Sequence, residues 1–223
     1  MNKGLRNFLI VIFSLFIFLK LTGMFTYYNV PSSSNEPNLP TNCYIFGSNL
    51  LKPKRNDFAY FKFSDSLDGY TIVKRLIALP GDRLECKKGN YFVNEKNVDK
   101  DLNLRFSYVI DNVSFGQLKP FFEGDDGFEY YPISKDSIFT FLDNDFVSKF
   151  PLKLKRHVST EKSNLFKGIF SKSKTWDLNN FGPITIPEGK YFFSGDNREN
   201  SIDSRYRGFV DEKEIKGTLL FKL

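Results

Sequence analysis

A long apolar segment near the amino terminus constrains this chain more than any other feature. Residues 8–19 are apolar except for Ser14, and after Lys20 the segment continues to Tyr28 with mainly apolar and aromatic residues. Residues 8–28 therefore cover the roughly 20 positions that a membrane-spanning helix needs. Within such a helix, Lys20 has to extend its amine to the membrane surface or face a partner.

The charges that flank this segment predict its orientation. Lys3 and Arg6 precede it, whereas the next basic residue is Lys52. The positive-inside rule then places the amino terminus in the cytoplasm and the rest of the chain outside. A cleaved secretory signal is the alternative, but residues 22–26 lead into bulky aromatics without a small-x-small cleavage site. We therefore favour residues 1–28 as a cytoplasmic amino terminus with an uncleaved, single-pass transmembrane anchor, and either interpretation exports the remainder.

Short aromatic and β-branched runs dominate the exported part. With 26 Phe and 11 Tyr, the chain is rich in residues that favour strands. Strands are predicted at five runs bounded by turn residues: 58–63, 70–76, 90–94, 184–186 and 191–193. No long stretch after Tyr28 has apolar residues at helical spacing. These patterns predict a mainly β, antiparallel fold after the transmembrane helix.

Charge and the scarcity of cysteine and histidine argue against several kinds of site. The formal net charge of +6 comes from scattered Lys and Arg residues without a nucleic-acid motif, so we expect no nucleic-acid partner. Cys43 and Cys86 form neither a disulfide framework nor, with His157, a metal-ligand cluster, so we expect no metal. Whether the two cysteines pair stays open. Because His157 is the only histidine and has no catalytic-looking neighbour in sequence, a hydrolase of this sequence needs another base.

Three stretches combine residue types that carry chemistry. They are Val-Pro-Ser-Ser-Ser-Asn-Glu-Pro-Asn-Leu at 30–39, Val-Lys-Arg-Leu-Ile-Ala-Leu-Pro-Gly-Asp at 73–82, and Gly-Asp-Asn-Arg-Glu-Asn-Ser-Ile-Asp-Ser-Arg at 195–205. Taken singly, they read as a Ser/Pro linker, a strand with its turn, and a polar loop. Together and in this order, they resemble the serine-lysine type I signal peptidases of bacteria. The third stretch, which continues through Tyr206 into Gly-Phe-Val at 208–210, is the most specific part of the resemblance.

The resemblance implies a membrane-anchored serine endopeptidase that removes amino-terminal signal peptides from exported preproteins. Ser34 matches the nucleophile and Lys74 the general base of a Ser/Lys dyad, and this chemistry needs no cofactor. The implied partners are exported preproteins and membrane lipid. The implied location is the bacterial cytoplasmic membrane, with the amino terminus inside and the catalytic domain on the outer face.

The sequence context of Lys74 suits a lysine base. A serine hydroxyl is a weak nucleophile until a neighbouring base takes its proton. Free lysine has a pKa of about 10.4, and burial lowers that value by up to about 3–5 units. Lys74 lies between apolar residues in a predicted strand, although it could also point to solvent beside Arg75. Because side chains alternate along a strand, these two residues should face opposite ways, so that one of them can be buried while the other is solvated.

Further residues acquire roles only through the resemblance. The Ser34 backbone N–H and the Ser32 hydroxyl match the donors that stabilise the oxyanion. Ser201 matches a serine that hydrogen-bonds the catalytic lysine and orients it. Asp203 and Arg205 match a pair that braces the site. Gly195 matches a glycine that allows close backbone approach, giving a support set of Ser201, Asp203, Arg205 and Gly195.

The chain departs from the family pattern at a few positions. Asn35 stands where Met usually follows the nucleophile, Asn38 where Thr is common, Ala78 where Gly is usual, and Ile72 where an aromatic is often found. Asn35 either alters the substrate pocket or marks a specialised paralogue. Three functions therefore stay open: a general signal peptidase, a peptidase dedicated to one exported precursor of the pilin or conjugation type, and a non-catalytic, peptidase-like assembly factor.

The same stretches suggest how the chain is divided. Residues 29–83 would form the first part of an antiparallel β catalytic core, with the nucleophile and the lysine. Residues 185–223 would complete that core. Residues 84–184, including the polar and aromatic middle at 101–182, would form a second, β-rich inserted lobe without a catalytic constellation.

Overall fold

The computed structural model describes residues 2–63, 69–124, 127–160 and 175–223. Within these ranges the strands, numbered β1–β14 in chain order, form three sheets of antiparallel pairs. The α-helices of the same ranges are α1 (Lys3–Leu21), α2 (Asn112–Leu118), α3 (Asn144–Lys149) and α4 (Ser204–Arg207). The prediction of a mainly antiparallel β fold is thus confirmed.

Helix α1 carries the apolar segment. The side chain of Asn2 caps it by accepting a hydrogen bond from the Gly4 N–H at 3.1 Å. None of its residues is buried, and its mean hydropathy reaches 1.9. By length and composition α1 is able to span a membrane. Residues 22–25 then lead directly into the first strand of the largest sheet.

The largest sheet has seven strands and holds most of the residues singled out above. In spatial order they are β1 (Thr26–Asn29), β2 (Tyr44–Ser48), β14 (Ile215–Lys222), β3 (Phe58–Phe61), β4 (Ile72–Ala78), β12 (Lys190–Ser194) and β13 (Val210–Asp211). The β3–β4 register places Ala59 opposite Lys74. On its other side β4 pairs with β12, where Ser194 lies opposite Arg75. The lysine is therefore on a central strand, where burial is expected.

A second sheet covers one end of the first. Its strands, in spatial order, are β11 (Phe181–Thr185), β5 (Arg83–Lys87), β6 (Asn90–Val93) and β7 (Lys96–Asn97). Leu84 and Tyr91 from this sheet pack in one hydrophobic core with Ile77 of β4 and Phe192 of β12. Burial of side chains of this size contributes about 1.5–3 kcal/mol each, so the two sheets stabilise each other.

The third sheet has a hydrophobic core of its own. Its strands, in spatial order, are β8 (Arg105–Asp111), β10 (Ser137–Asp143) and β9 (Tyr130–Pro132). Alternate residues of β10 are buried, and they pack against Phe115 and Leu118 of α2 and against Phe150 after α3. Since β5, β6 and β11 pack with β4 and β12 instead, we propose a narrower inserted lobe than residues 84–184, spanning about residues 102–154. Residues 125–126 and 161–174 of the predicted lobe lie outside the described residues.

The predicted strands at 58–63 and 70–76 correspond to β3 and β4 with shifted ends. β3 ends at Phe61, and β4 continues to Ala78. β4 stops there because Gly81 takes a positive φ of 83° and the Asp82 carboxylate accepts a hydrogen bond from the Leu79 N–H at 2.7 Å. The Pro-Gly pair indicates this turn in the sequence. The exact end of β4, however, depends on the hydrogen bond between the Asp82 side chain and the Leu79 N–H.

Candidate active site

Ser34 lies in a single turn of 3-10 helix, Ser33–Asn35, that follows β1. Its side chain is buried, at 9% exposure. The first N–H groups of a helix have no intrahelical acceptor, and among the described residues the Ser34 N–H has none elsewhere. The Ser32 hydroxyl lies 3.2 Å from Ser34 Oγ. A free backbone donor and a second hydroxyl therefore lie next to the Ser34 hydroxyl.

Lys74 reaches this hydroxyl from β4. Its Nζ donates a hydrogen bond to Ser34 Oγ at 2.5 Å, and the residue is 5% exposed. When the amine is neutral, the same contact lets the hydroxyl donate its proton to Nζ instead. The two residues are 40 positions apart in sequence, so the sheet brings them together.

The surroundings of Lys74 favour the neutral amine. Burial is the largest influence and lowers the pKa of Lys74 from 10.5 to about 8. The charge of Asp203 opposes this change and that of Arg205 adds to it, while Asp196 raises the pKa more weakly. With a pKa near 8, roughly a tenth of the amines are neutral at pH 7, against roughly one in a few thousand for free lysine.

The loop at 195–205 packs directly against the Ser34 turn. A Cβ atom on Gly195 would overlap the Ser34 carbonyl oxygen and the Ser201 side chain. The Asn197 N–H donates to the Ser34 carbonyl oxygen at 3.2 Å. Only a glycine at position 195 leaves room for this approach, which fixes the loop against the turn.

Asp203 is the most heavily bonded side chain of that loop. Its carboxylate accepts hydrogen bonds from Arg205 Nε at 2.9 Å and Nη2 at 2.8 Å, and from the Gly195 N–H at 3.0 Å. Burial alone would raise the pKa of Asp203, but the Arg205 charge and these hydrogen bonds outweigh it and hold the pKa below its ordinary value. Asp203 and Arg205 therefore form a fully buried ion pair directly behind the Ser34 turn.

Ser201 lies in this cluster but does not make the expected contact. Its hydroxyl donates to Asp203 Oδ2 at 3.0 Å, and among the described residues no hydrogen bond joins it to Lys74. An ionised carboxylate is a stronger hydrogen-bond acceptor than a neutral amine, which explains why the Ser201 hydroxyl binds Asp203 and not Lys74. Within the described part of the chain the expected Ser201–Lys74 hydrogen bond is not formed, and Ser201 instead binds Asp203, whose charge acts on the lysine.

Strand alternation allows one of Lys74 and Arg75 to be solvated, but both are buried, at 5% and 7% exposure. Arg75 Nε and Nη2 bind the two carboxylate oxygens of Asp196 at 2.7 and 2.6 Å. Its guanidinium also lies 4.2 Å from the centre of the Phe58 ring. β4 is covered on both faces, and a paired guanidinium tolerates burial where an unpaired one would not.

Two side-chain contacts of these stretches could not be predicted from the sequence. Arg198 is 1% exposed and binds Asp99 with Nη1 at 2.7 Å and Nη2 at 2.6 Å. Asn38 donates to Asp196 Oδ2 at 2.7 Å. Arg198 and Asp196 belong to the third stretch. Nothing in the sequence around Asp99 marks it as the partner of Arg198, and nothing around Asn38 marks it as the partner of Asp196.

Other candidate ligands are not grouped. Among the described residues, no cluster of three or more His, Cys, Asp or Glu side chains has a geometry able to hold a metal ion. Cys43 and Cys86 are free thiols. The open question of their pairing is answered in this structure, since each thiol lies apart from the other.

Comparison with known proteins gives consistent matches. The family model described as signal peptidase, peptidase S26, matches residues 5–223. Signal peptidase I of Aquifex aeolicus is 30% identical over 223 residues, covering 94% of this chain and 78% of that protein. Signal peptidase I of Buchnera aphidicola subsp. Baizongia pistaciae is 26% identical over 240 residues, covering 92% and 71%.

A further relative and a solved structure carry the same description. Signal peptidase I P of Bacillus subtilis subsp. natto is 29% identical over 216 residues, covering 93% of this chain and 82% of that protein. A crystal structure of a signal peptidase I from Enterococcus faecalis V583 covers 76% of this chain and 98% of its own, with 23% identity and a TM-score of 0.38. Because the family model spans nearly the whole chain, the protein belongs to the signal peptidase family, peptidase S26, whose activity is the removal of signal peptides from exported preproteins.

Proposed function

We propose that the protein is a membrane-anchored serine endopeptidase that cuts signal peptides with a dyad of Ser34 and Lys74. The observation that carries the proposal is the buried 2.5 Å contact between Lys74 Nζ and Ser34 Oγ. A serine nucleophile needs a base within hydrogen-bond reach, and the low pKa of Lys74 makes its amine available as that base.

The first chemical step follows from this contact. Lys74 takes the Ser34 hydroxyl proton while Ser34 Oγ forms a bond to the scissile carbonyl carbon, and the carbonyl electron pair moves to its oxygen. The Ser34 N–H and the Ser32 hydroxyl are the donors available to that oxyanion. The proton on Lys74 passes to the amide nitrogen as the C–N bond breaks, which releases the mature protein and leaves the signal peptide as an ester on Ser34.

The second step regenerates the enzyme. A water molecule attacks the ester carbon and gives one proton to the Lys74 amine. The ester bond then breaks, the proton returns to Ser34 Oγ, and the signal peptide leaves with a free carboxyl group. Nucleophile and base are both side chains of this chain, so the proposed cycle consumes only the preprotein and water.

Contacts around the end of α1 support a location at the membrane surface. Aromatic residues at the end of α1 and on the adjoining strands pack on one another: Phe25 on Phe46 at 5.6 Å and Phe46 on Phe221 at 4.9 Å between ring centres. Lys20 Nζ lies 4.7 Å from the centre of the Tyr27 ring, so its charge has a partner at the helix end. Tyrosine and lysine side chains at the end of a spanning helix favour the membrane interface, which suits Tyr27 and Lys20. We infer a single-pass anchor in the bacterial cytoplasmic membrane, with lipid as a partner and the catalytic domain on the outer face.

The pH dependence of cleavage follows from the pKa of Lys74. Below about pH 8 the amine is mainly protonated and unable to accept the serine proton, so kcat/KM should rise with pH and level off above about 8. The measurement is the initial rate of preprotein cleavage between pH 6 and 10 in detergent. A profile already flat between pH 6 and 7 would contradict a lysine base.

Substrate cleavage tests the proposed function itself. The purified protein would be incubated with several unrelated preproteins, and the products would be identified by mass spectrometry. We expect a single cut at each signal junction. Cleavage of one precursor alone would instead favour a dedicated peptidase, and cleavage away from signal junctions in every substrate would contradict the proposal.

A further inference from the structure

Asn35 directly follows Ser34 and is the position at which the Ser34 turn departs from the pattern that its sequence resembles. It is the last residue of the 3-10 turn and is only 2% exposed. A polar carboxamide that is fully buried next to a reacting hydroxyl requires a physical reason, because burial of an amide is unfavourable unless it is hydrogen-bonded.

The nitrogen of the carboxamide is hydrogen-bonded to β4, the strand that carries Lys74. Asn35 Nδ2 donates to the Val73 carbonyl oxygen at 2.9 Å, and Val73 immediately precedes Lys74. The Leu76 N–H points to the β3 side, since it donates to Asp57. Backbone groups alternate sides along an antiparallel strand, so those of Val73 point to the opposite edge of β4.

Among the described residues, no strand pairs with that edge of β4 opposite Val73. The described pairing of β12 with β4 reaches no further than Ser194 opposite Arg75. The Asn35 amide therefore takes the place that a neighbouring strand would occupy. It joins the turn that holds Ser34 to the backbone that holds Lys74.

The oxygen of the carboxamide has no hydrogen-bond donor. Among the described residues, Asn35 Oδ1 is buried and accepts no hydrogen bond. A buried acceptor without a donor lowers stability, so its presence in a folded protein requires a physical reason. The bond that the amide nitrogen makes to Val73, beside Lys74, supplies that reason.

The residues that follow the turn bind other parts of the chain. Glu36 forms an ion pair with Arg105 of β8, and Asn38 donates to the Asn103 carbonyl oxygen at 2.6 Å. These contacts fix the turn against the inserted lobe. Among the described residues, Asn35 alone provides a hydrogen bond from this turn to the backbone beside Lys74.

Building on the proposed Ser34–Lys74 chemistry, we propose that Asn35 is a positioning residue whose amide bond to Val73 sets the approach of the Ser34 hydroxyl to the Lys74 amine. Without that bond the turn is free to shift from β4, and water reaches the amine. Displacement of a reacting group by about 1 Å can lower the rate by about 100-fold. The charges that also act on Lys74, those of Asp203, Arg205 and Asp196, stay in place.

The test uses two substitutions and a matched control in the full chain. Asn35→Leu keeps the number and branching of the side-chain heavy atoms and removes the amide, and Asn35→Ala removes the amide without risk of overlap. The control is Asn179→Leu, because Asn179 is 1% exposed, donates to the Ser159 carbonyl oxygen at 2.9 Å and also has a buried Oδ1 without a partner. It reproduces the bonding of Asn35 away from Ser34 and Lys74.

Four quantities are measured for each variant: kcat and KM for a preprotein, the Lys74 pKa by NMR titration of its side chain, and the free energy of unfolding in urea. We expect both Asn35 variants to lower kcat about 10- to 100-fold with KM changed less than about threefold. The Lys74 pKa should rise toward that of free lysine in both Asn35 variants. Asn179→Leu should leave kcat and the Lys74 pKa unchanged.

Two results would overturn the inference. One is a wild-type kcat and Lys74 pKa in both Asn35 variants. The other is a loss of activity that follows a loss of stability while the Lys74 pKa stays constant. The NMR titration does not require turnover, so a wild type that cleaves no preprotein would refute the proposed function, whereas the Lys74 pKa of the variants would still decide the role of Asn35.

Discussion

Lys74→Met should lower kcat for preprotein cleavage by about 10⁴-fold or more, as expected when the base of a nucleophile–base pair is lost. Met fills the space of the lysine stem but offers no amine within reach of Ser34 Oγ. KM should change little, since the substrate is bound by other groups. The measurement is single-turnover cleavage at pH 9, where the wild-type amine is mainly neutral.

The same substitution should make the protein more stable at pH 7. The pKa of Lys74 is about 8 when folded and 10.5 as the ordinary value, so the unfolded chain binds the proton more tightly. That difference disfavours the folded state by roughly 3 kcal/mol below pH 8, and it disappears as the pH rises from about 8 to 10.5. The wild type should therefore gain stability over this window, whereas Lys74→Met should not.

Urea unfolding at pH 7 and pH 10 measures both effects. Opposite changes in activity and stability are characteristic of a buried functional charge. A variant that is less stable than the wild type at pH 7 would show that Lys74 contributes mainly to the fold and would contradict this account.

Asp203→Asn should destabilise the fold by about 3–5 kcal/mol, because it leaves the buried Arg205 guanidinium without its counter-charge. For a chain of this size the midpoint of thermal unfolding should fall by about 6–20 °C. Asn has nearly the same shape as Asp, so the effect reports the charge and not a cavity. It also reduces the acceptor capacity that binds Gly195 and Ser201.

A second signature separates this effect from general damage. Asp203 raises the pKa of Lys74, so its neutralisation should shift the rise of kcat/KM to lower pH in the fraction that stays folded. Asp211→Asn is the matched control, since Asp211 pairs with Lys190 at the surface and surface pairs contribute about 1 kcal/mol or less. Equal thermal shifts in the two variants, or an unchanged pH profile in Asp203→Asn, would contradict the role given to Asp203.

Much of the site could be predicted from the sequence because several of its residues lie close together in the chain. The spacing from Gly195 to Arg205 allowed the pairing of Asp203 with Arg205 to be expected by resemblance, and the structure brings them together. The absence of a usable histidine pointed to Lys74 as a base. Strand propensity likewise located β3 and β4, because aromatic and β-branched residues mark strands whatever their partners.

The rest depended on contacts between distant parts of the chain. Strand alternation left open whether Lys74 or Arg75 is solvated, because it cannot show that β4 is covered on both faces. Nothing local predicts that Arg198 meets Asp99, or that the amide of Asn35 binds Val73. Such pairings are determined by the order of strands in the sheets, which short-range patterns do not specify.

The measurement that tests the central claim most directly is cleavage of one preprotein in detergent at pH 9 by the wild type, Ser34→Ala and Lys74→Met, with the product junction determined by mass spectrometry. A dyad of Ser34 and Lys74 predicts a product cut at the signal junction with the wild type and none with either variant, while both variants keep the wild-type circular dichroism spectrum. Cleavage at the same junction by either folded variant would contradict the dyad.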